Sequence, residues 1–183
     1  DGGIKIGDPY TDKVADPWND EFIPSSVHDE IPVYGREEYG VASTFQTAQS
    51  PYDWGTEEAN WQRPNKEDLV VYELLIRDFV GTHDYKDMID TLGYLKTLGV
   101  NAIELMPIME FEGNQSWGYN PMYFFAVDKF YGKKSDLKDF IKACHEQGMA
   151  VILDMVMNHA FGLNSMVHLY RENPNDYGSA PTA

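Results

Sequence analysis

Twice in this chain a helix-type segment ends at a glycine and an apolar strand-type run begins at once: LGVNAIEL at Leu98–Leu105 and QGMAVILD at Gln147–Asp154. Glycine supplies the left-handed residue that stops a helix, and a continuous apolar run of strand length predicts a strand covered on both faces. Strands that alternate with helices pair in parallel through right-handed crossovers, so the fold class is α/β. A first strand is expected over Leu69–Ile76, where Glu73 alone interrupts the run. Its helix carries Met88, Ile89, Leu92, Leu95 and Leu98 at helical spacing, with Asp84 as N-cap and Gly99 as stop. A second strand is expected over Val100–Met106, closed by Pro107. The helix that follows is capped by Ser135, turns Leu137, Phe140, Ile141 and Cys144 to the core and ends at Gly148; a third strand, Met149–Val156, follows directly.

Residues 1–68 have a different character, with three of the four Trp, Asp-Pro steps at Asp8 and Asp16 and no sustained helical period. Asp before Pro favours turn initiation. Gly40–Thr47 is the best strand candidate, because its residues alternate in a β-favouring composition. The segment reads as the end of a β-sandwich followed by a linker, and residues 69–183 as a separate, α/β part. The chain opens at Asp1 without Met, which we take as a sign of processing or of a fragment.

With 43% hydrophobic and 14% aromatic residues the chain can support a packed core. Lys and Arg number 14 against 30 Asp and Glu, a formal charge of −16, which opposes binding to phosphate backbones and to anionic lipid surfaces. No nucleic-acid partner is expected. Uncharged ligands meet no such repulsion. No apolar run approaches the roughly 20 residues of a membrane span. One cysteine, Cys144, excludes an intrachain disulfide and is expected to be a core thiol on a helix.

The connection from Pro107 to Lys134 is far longer than the usual link between a strand and its helix, and its many aromatics require part of it to be packed. Within it, SWGYNP at Ser116–Pro121 places Trp117 and Tyr119 on either side of Gly118. Aromatic faces suit the C–H face of a pyranose; the alternative is that Trp117 is core and Tyr119 alone is exposed. Trp18, Trp54 and Trp61 could also stack on glycan or pack between domains. After the third strand comes DMVMNH, Asp154–His159. Asp154 ends an otherwise apolar strand, and a carboxylate there needs a partner. It is either an inward-pointing group at the mouth of a barrel or an anchor for the next loop. Asn158 offers an amide oxygen that could ligate Ca²⁺, and His159 an imidazole that could bond a sugar hydroxyl or simply be satisfied within the loop. Glu73, Arg77, Asp78 and Glu104 are expected to form salt bridges across the sheet. Cys144, His83, His145 and His168 have no recognisable metal spacing.

Together these residues resemble the α-amylase superfamily of glycoside hydrolases, family 13. VYELLIRDF at Val71–Phe79 is similar to the first barrel strand of members with an N-terminal sandwich domain, such as pullulanases, isoamylases and branching enzymes. SWGYNP is similar to their second loop, and DMVMNH to the family's first conserved region after strand three. The resemblance is strong from Leu69 to about Leu163 and looser over residues 1–68. It implies the first three β/α units of an eight-stranded β/α (TIM) barrel, a fold that typically needs roughly 250 residues.

The resemblance further implies a retaining enzyme that cleaves or transfers α-glucosidic bonds in starch, glycogen, pullulan or maltooligosaccharides. Tyr119 would stack on the sugar in the subsite that holds the cleaved residue, and His159 would hydrogen-bond its hydroxyl. Asp154 would support the site through an Arg from strand four, and Asn158 would correspond to a calcium ligand in members that bind Ca²⁺; no cofactor is required. The family's nucleophilic Asp, acid/base Glu and stabilising Asp would lie after strands four, five and seven, beyond Ala183, so no residue here takes those roles and this piece should be inactive alone. Other readings are a short glycan-binding product that uses Trp117, Tyr119 and His159, and a structural module whose open sheet edges self-associate. A secreted or envelope location suits an acidic, cysteine-poor glucan enzyme, with the cytoplasm as the alternative. Bond specificity, and hydrolysis against transfer, would lie in later loops.

Overall fold

A computed structural model describes residues 5–27, 31, 34–35 and 40–173; Asp1 lies outside them. In chain order its elements are β1 (Val14–Ala15), β2 (Ala42–Ser43), α1 (Gly55–Glu58), β3 (Val71–Leu74), α2 (Ile76–Phe79), α3 (Tyr85–Thr97), β4 (Ala102–Leu105), β5 (Met109–Phe111), β6 (Pro121–Val127), α4 (Lys134–Glu146), β7 (Ala150–Leu153) and α5 (Ser165–Tyr170). They fall into two compact units: Ala48–Pro107 with Lys129–Asp154, and Asp1–Thr47 with Ile108–Asp128 and Met155–Ala183.

The first of these units holds a three-stranded parallel sheet in the order β3–β4–β7. Val71, Ala102 and Ala150 stand level, as do Leu74, Leu105 and Leu153. Asn101 sets the start of this register. Its side chain accepts from the Val70 N–H at 2.7 Å and donates to the Asp68 carbonyl at 2.9 Å, tying the approach to β3 to the approach to β4. The crossover helices follow from their sequences. Asp84 caps α3 by accepting from the Lys86 N–H at 2.8 Å, and the helix buries Tyr85, Met88, Leu92 and Leu95. Helix α4 buries Leu137, Phe140 and Cys144 and packs against α3. Gly99 and Gly148 follow the two helices at φ +81° and +77°, the left-handed turn that lets the next strand begin at once.

Several details depart from the sequence reading. The three strands are shorter than their apolar runs, because Ile76 already opens α2 and each run includes the approach or exit of its strand. Ser135 is not the cap of α4. The helix starts at Lys134, and the Lys133 N–H donates to the Asp136 carboxylate at 3.0 Å. Cover on both faces holds only for the central strand. Ala102, Ile103 and Leu105 are buried, whereas Val71 in β3 and Leu153 in β7 are 44% and 43% exposed, since an edge strand has a neighbour on one side only. Leu98, placed on the core face by its spacing, is exposed. The expected cross-sheet ion pairs are absent among the described residues for Glu73 and Glu104. Arg77 instead pairs with its neighbour Asp78 at 2.8 Å, and that hydrogen bond raises the guanidinium and lowers the carboxyl from their ordinary values. Cys144 is a buried thiol on α4, as expected, and desolvation pushes it up to about 12.

In the second unit, β1 and β2 pair antiparallel, Val14 with Ser43 and Ala15 with Ala42. The strand expected over Gly40–Thr47 contracts to Ala42–Ser43. Beyond it the Thr44 N–H still reaches the Lys13 carbonyl at 2.9 Å, but Phe45 is 88% exposed. The partner strand is cut short by Asp16, whose carboxylate accepts from the Trp18 N–H and the Asn19 amide, both at 2.8 Å, and so turns the chain away. The long connection after β4 contains an irregular antiparallel hairpin, β5–β6, with register shifts on both sides of Glu110. Val14, Met122, Tyr123 and Ala126 form a core there, and Val41, Phe161 and Leu163 pack against it. Among the described residues no helix is long and apolar enough to cross a membrane.

Candidate functional site

The SWGYNP segment is the tip of the β5–β6 hairpin, and its own side chains close it. The Gly118 N–H donates to Ser116 Oγ at 3.0 Å, Ser116 is hydrogen-bonded to the Asn120 side chain, and the Asn120 amide donates to the Glu112 carbonyl at 3.2 Å. Gly118, buried, turns at φ +90°, a region that glycine enters without a Cβ penalty. The two aromatics on either side of it are left in the open: Trp117 is 62% exposed and Tyr119 38%. Both are therefore surface groups, and the reading of Trp117 as core is not met.

The segment after β7 is held to this hairpin at two points. His159 Nε2 lies 2.7 Å from the Tyr119 carbonyl oxygen, and the Phe161 N–H donates to the Pro121 carbonyl at 2.9 Å. A carbonyl can only accept, so Nε2 carries the proton in the first of these bonds. In the neutral ring Nδ1 is then an acceptor, and among the described residues it has no partner. Phe161 and Leu163 rest on the hairpin core, and Asn164 caps α5 by accepting from the Met166 N–H at 2.8 Å. His159 is thus an exposed ring fixed at one nitrogen and available at the other.

Of the residues singled out from sequence, the hairpin unit brings Tyr119 and His159 into contact and exposes Trp117 and Asn158 beside them in the chain. Asp154 belongs to the parallel-sheet unit. Its N–H donates to the Leu105 carbonyl at 3.0 Å, which carries the β4–β7 ladder one residue further and leaves the carboxylate, half-buried, at the exit of the strand. Strand alternation puts it on the same face as Ala150 and Ile152, level with the Glu104 side of β4. Ser116 and Asn120 were not singled out, although they shape the turn. Asn before Pro was their signal, since that position is biased away from the helical region. Of the other tryptophans, Trp54 meets Tyr52 edge-on and Trp61 lies flat on His145.

The donor set for a metal is thin. Calcium takes six to eight oxygens; Asn158 supplies one side-chain oxygen, and no cluster of three or more His, Cys, Asp or Glu suited to a metal exists among the described residues. These residues alone do not make a calcium site.

Comparison with known proteins gives a consistent picture. The family model described as "Alpha amylase, catalytic domain" matches residues 47–177. A malto-oligosyltrehalose trehalohydrolase from Saccharolobus solfataricus is 37% identical over 85% of this chain, which covers 26% of that relative. A 1,4-α-glucan branching enzyme from Pseudoalteromonas atlantica is 30% identical over 86% of this chain and is covered over 23% of its length. Among solved structures, a putative α-amylase from Salmonella typhimurium superposes with a TM-score of 0.69 at 25% identity, over 97% of this chain and 27% of that one. The chain thus spans about a quarter of the length of the relatives it matches.

Proposed function

Since this chain belongs to the α-amylase catalytic-domain family, we propose that it is a portion of an α-glucan-active enzyme that cleaves or transfers α-glucosidic bonds with retention. In this reading β3, β4 and β7 are the first three strands of an eight-stranded β/α barrel, residues 1–68 are the end of a sandwich-like domain with its linker, and residues 69–183 begin the barrel. The observation that carries the site is the 2.7 Å bond between His159 Nε2 and the Tyr119 carbonyl, which joins the two candidate sugar contacts from separate loops. Barrel enzymes place such groups on the loops that follow their strands.

Each residue then has a defined task. Tyr119 and Trp117 present aromatic surface to the apolar face of a glucosyl ring. His159, its Nε2 proton committed to the Tyr119 carbonyl, accepts a hydrogen bond from a sugar hydroxyl at Nδ1. Asp154 orients charge at the barrel mouth through a cationic partner from later in the barrel, and Asn158 contributes one oxygen where the complete domain binds Ca²⁺. Cleavage with retention needs two carboxyl groups about 5–5.5 Å apart flanking the bond. No residue of these 183 is assigned either role, so catalysis belongs to the whole protein. The same reading makes α-glucan the partner and leaves a secreted or envelope location with the cytoplasm as the alternative.

Incubated with starch, glycogen and pullulan, the 183-residue chain should release no reducing sugar. Steady turnover by the pure chain would overturn the assignment of nucleophile and acid/base to residues outside it. In the whole protein, Tyr119→Ala and His159→Ala should each lower kcat/KM on maltooligosaccharides by about tenfold or more. Unchanged kinetics would remove the two residues from the site.

A further inference from the structure

The parallel-sheet unit carries a cleft of about 410 Å³ whose residues take no part in the reading above. Its volume lies within the roughly 300–1,000 Å³ of small-molecule sites. One wall is Trp61, whose ring lies on the imidazole of His145 with centroids 3.7 Å apart and planes 14° from parallel. His145 is itself fixed, because Nδ1 donates to both carboxylate oxygens of Glu58, at 2.7 and 2.9 Å. The indole is therefore a flat apolar surface set in place before any ligand arrives. Around it stand Asn60, Gln62, Lys142 and Glu146. His145 occupies the last turn of α4, just before Gly148 and the start of β7, whereas Asp154 follows the other end of that strand.

The chemistry of the lining selects the ligand. Asn60 and Gln62 each donate and accept, Lys142 donates, and the carboxylate of Glu146 accepts. Glu58 is taken up by His145, and Lys142 and Glu146 carry opposite charges, so the remaining lining favours neither an anion nor a cation. A fixed aromatic wall with mixed donors and acceptors at its rim matches a pyranose ring, which has an apolar C–H face and hydroxyls that both give and take hydrogen bonds. We propose that this cleft is an auxiliary binding site for a short neutral gluco-oligosaccharide, one β-strand length away from the catalytic end of the sheet. The choice of α-linked glucose rests on the α-glucan reading above; the cleft itself does not.

The indole N–H signals of the four tryptophans, with Trp61 identified by its loss in Trp61→Phe, allow the two sites to be read separately during titration of the 183-residue chain with maltotriose. The Trp61 signal should move and saturate. Asn60→Ala combined with Gln62→Ala, both at exposed positions, should weaken that saturation by about fivefold or more, and Tyr119→Ala should leave it unchanged. A Trp61 signal that stays still at saturating sugar, or that moves identically in the double variant, overturns the proposal. Movement of the Trp117 signal alone would leave the Tyr119–His159 reading standing and refute the auxiliary cleft; movement of Trp61 alone would support the cleft, the Tyr119–His159 reading being decided by the kinetics of the whole protein.

Discussion

The positions that do most for the candidate site are single residues whose neighbours constrain them. Gly118 turns at φ +90° between Trp117 and Tyr119, so Gly118→Ala should cost about 1–2 kcal/mol and shift the Tyr119 carbonyl away from His159. Urea unfolding gives the first quantity and the ring nitrogen shifts of His159 the second; an unaltered imidazole would mean that the bond does not depend on this turn. Cys144 offers a prediction in pH. Burial pushes its thiol from 9.0 up to about 12, so the folded state holds the proton more tightly than the unfolded chain does. The stabilisation is full below about pH 9 and is lost as the pH rises from there toward 12, by about 1.4 kcal/mol per pH unit. Cys144→Ala, which cannot titrate, should lack this alkaline slope; parallel stability curves for the two proteins would contradict it. At this scale the sequence was informative about type and silent about direction. His159 could be read as a candidate because it follows a buried strand, but nothing in DMVMNH says that its Nε2 faces a carbonyl 40 residues earlier.

Elements were legible where local rules decide them. Asp84 caps α3 as its position before the apolar repeat requires, and Asp84→Ala should destabilise the fold by about 1 kcal/mol, read from the urea midpoint; an unchanged midpoint would show that α3 is fixed by packing alone. Helix and strand identity in both crossovers followed from the helix-glycine-strand junctions. Boundaries did not: Ser135 is the expected cap, but the helix starts one residue earlier, where the Asp136 carboxylate reaches the Lys133 N–H. The β5–β6 hairpin was illegible for a related reason. Its register shifts on both sides of Glu110 break the strict alternation by which a strand is recognised, and only its aromatic content betrayed that it was packed. The same limit explains the contraction of Gly40–Thr47: a strand lasts only as long as its partner, and β1 ends where Asp16 turns the chain.

At the scale of the molecule, the sheet has two edges, β3 and β7, whose outer backbone groups have no strand beside them among the described residues. The β7 sequence AVIL carries no charge to discourage pairing, while the net charge of −16 opposes contact between copies. The chain should therefore associate as concentration rises, and more readily when about 0.5 M salt shortens the screening length. Light scattering that reports one monomeric species throughout would refute this. Family membership was readable from three short motifs, because they are local; the pairing of segments into units was not, because it joins residues far apart in the chain. That interleaving bears on synthesis. One unit is built from Asp1–Thr47, Ile108–Asp128 and Met155–Ala183, so Val14 leaves the ribosome long before Met122, Tyr123 and Phe161, the groups that bury it. Val14 must therefore wait through the translation of more than a hundred residues for these partners, and a chaperone that shields apolar nascent chain would find a substrate there.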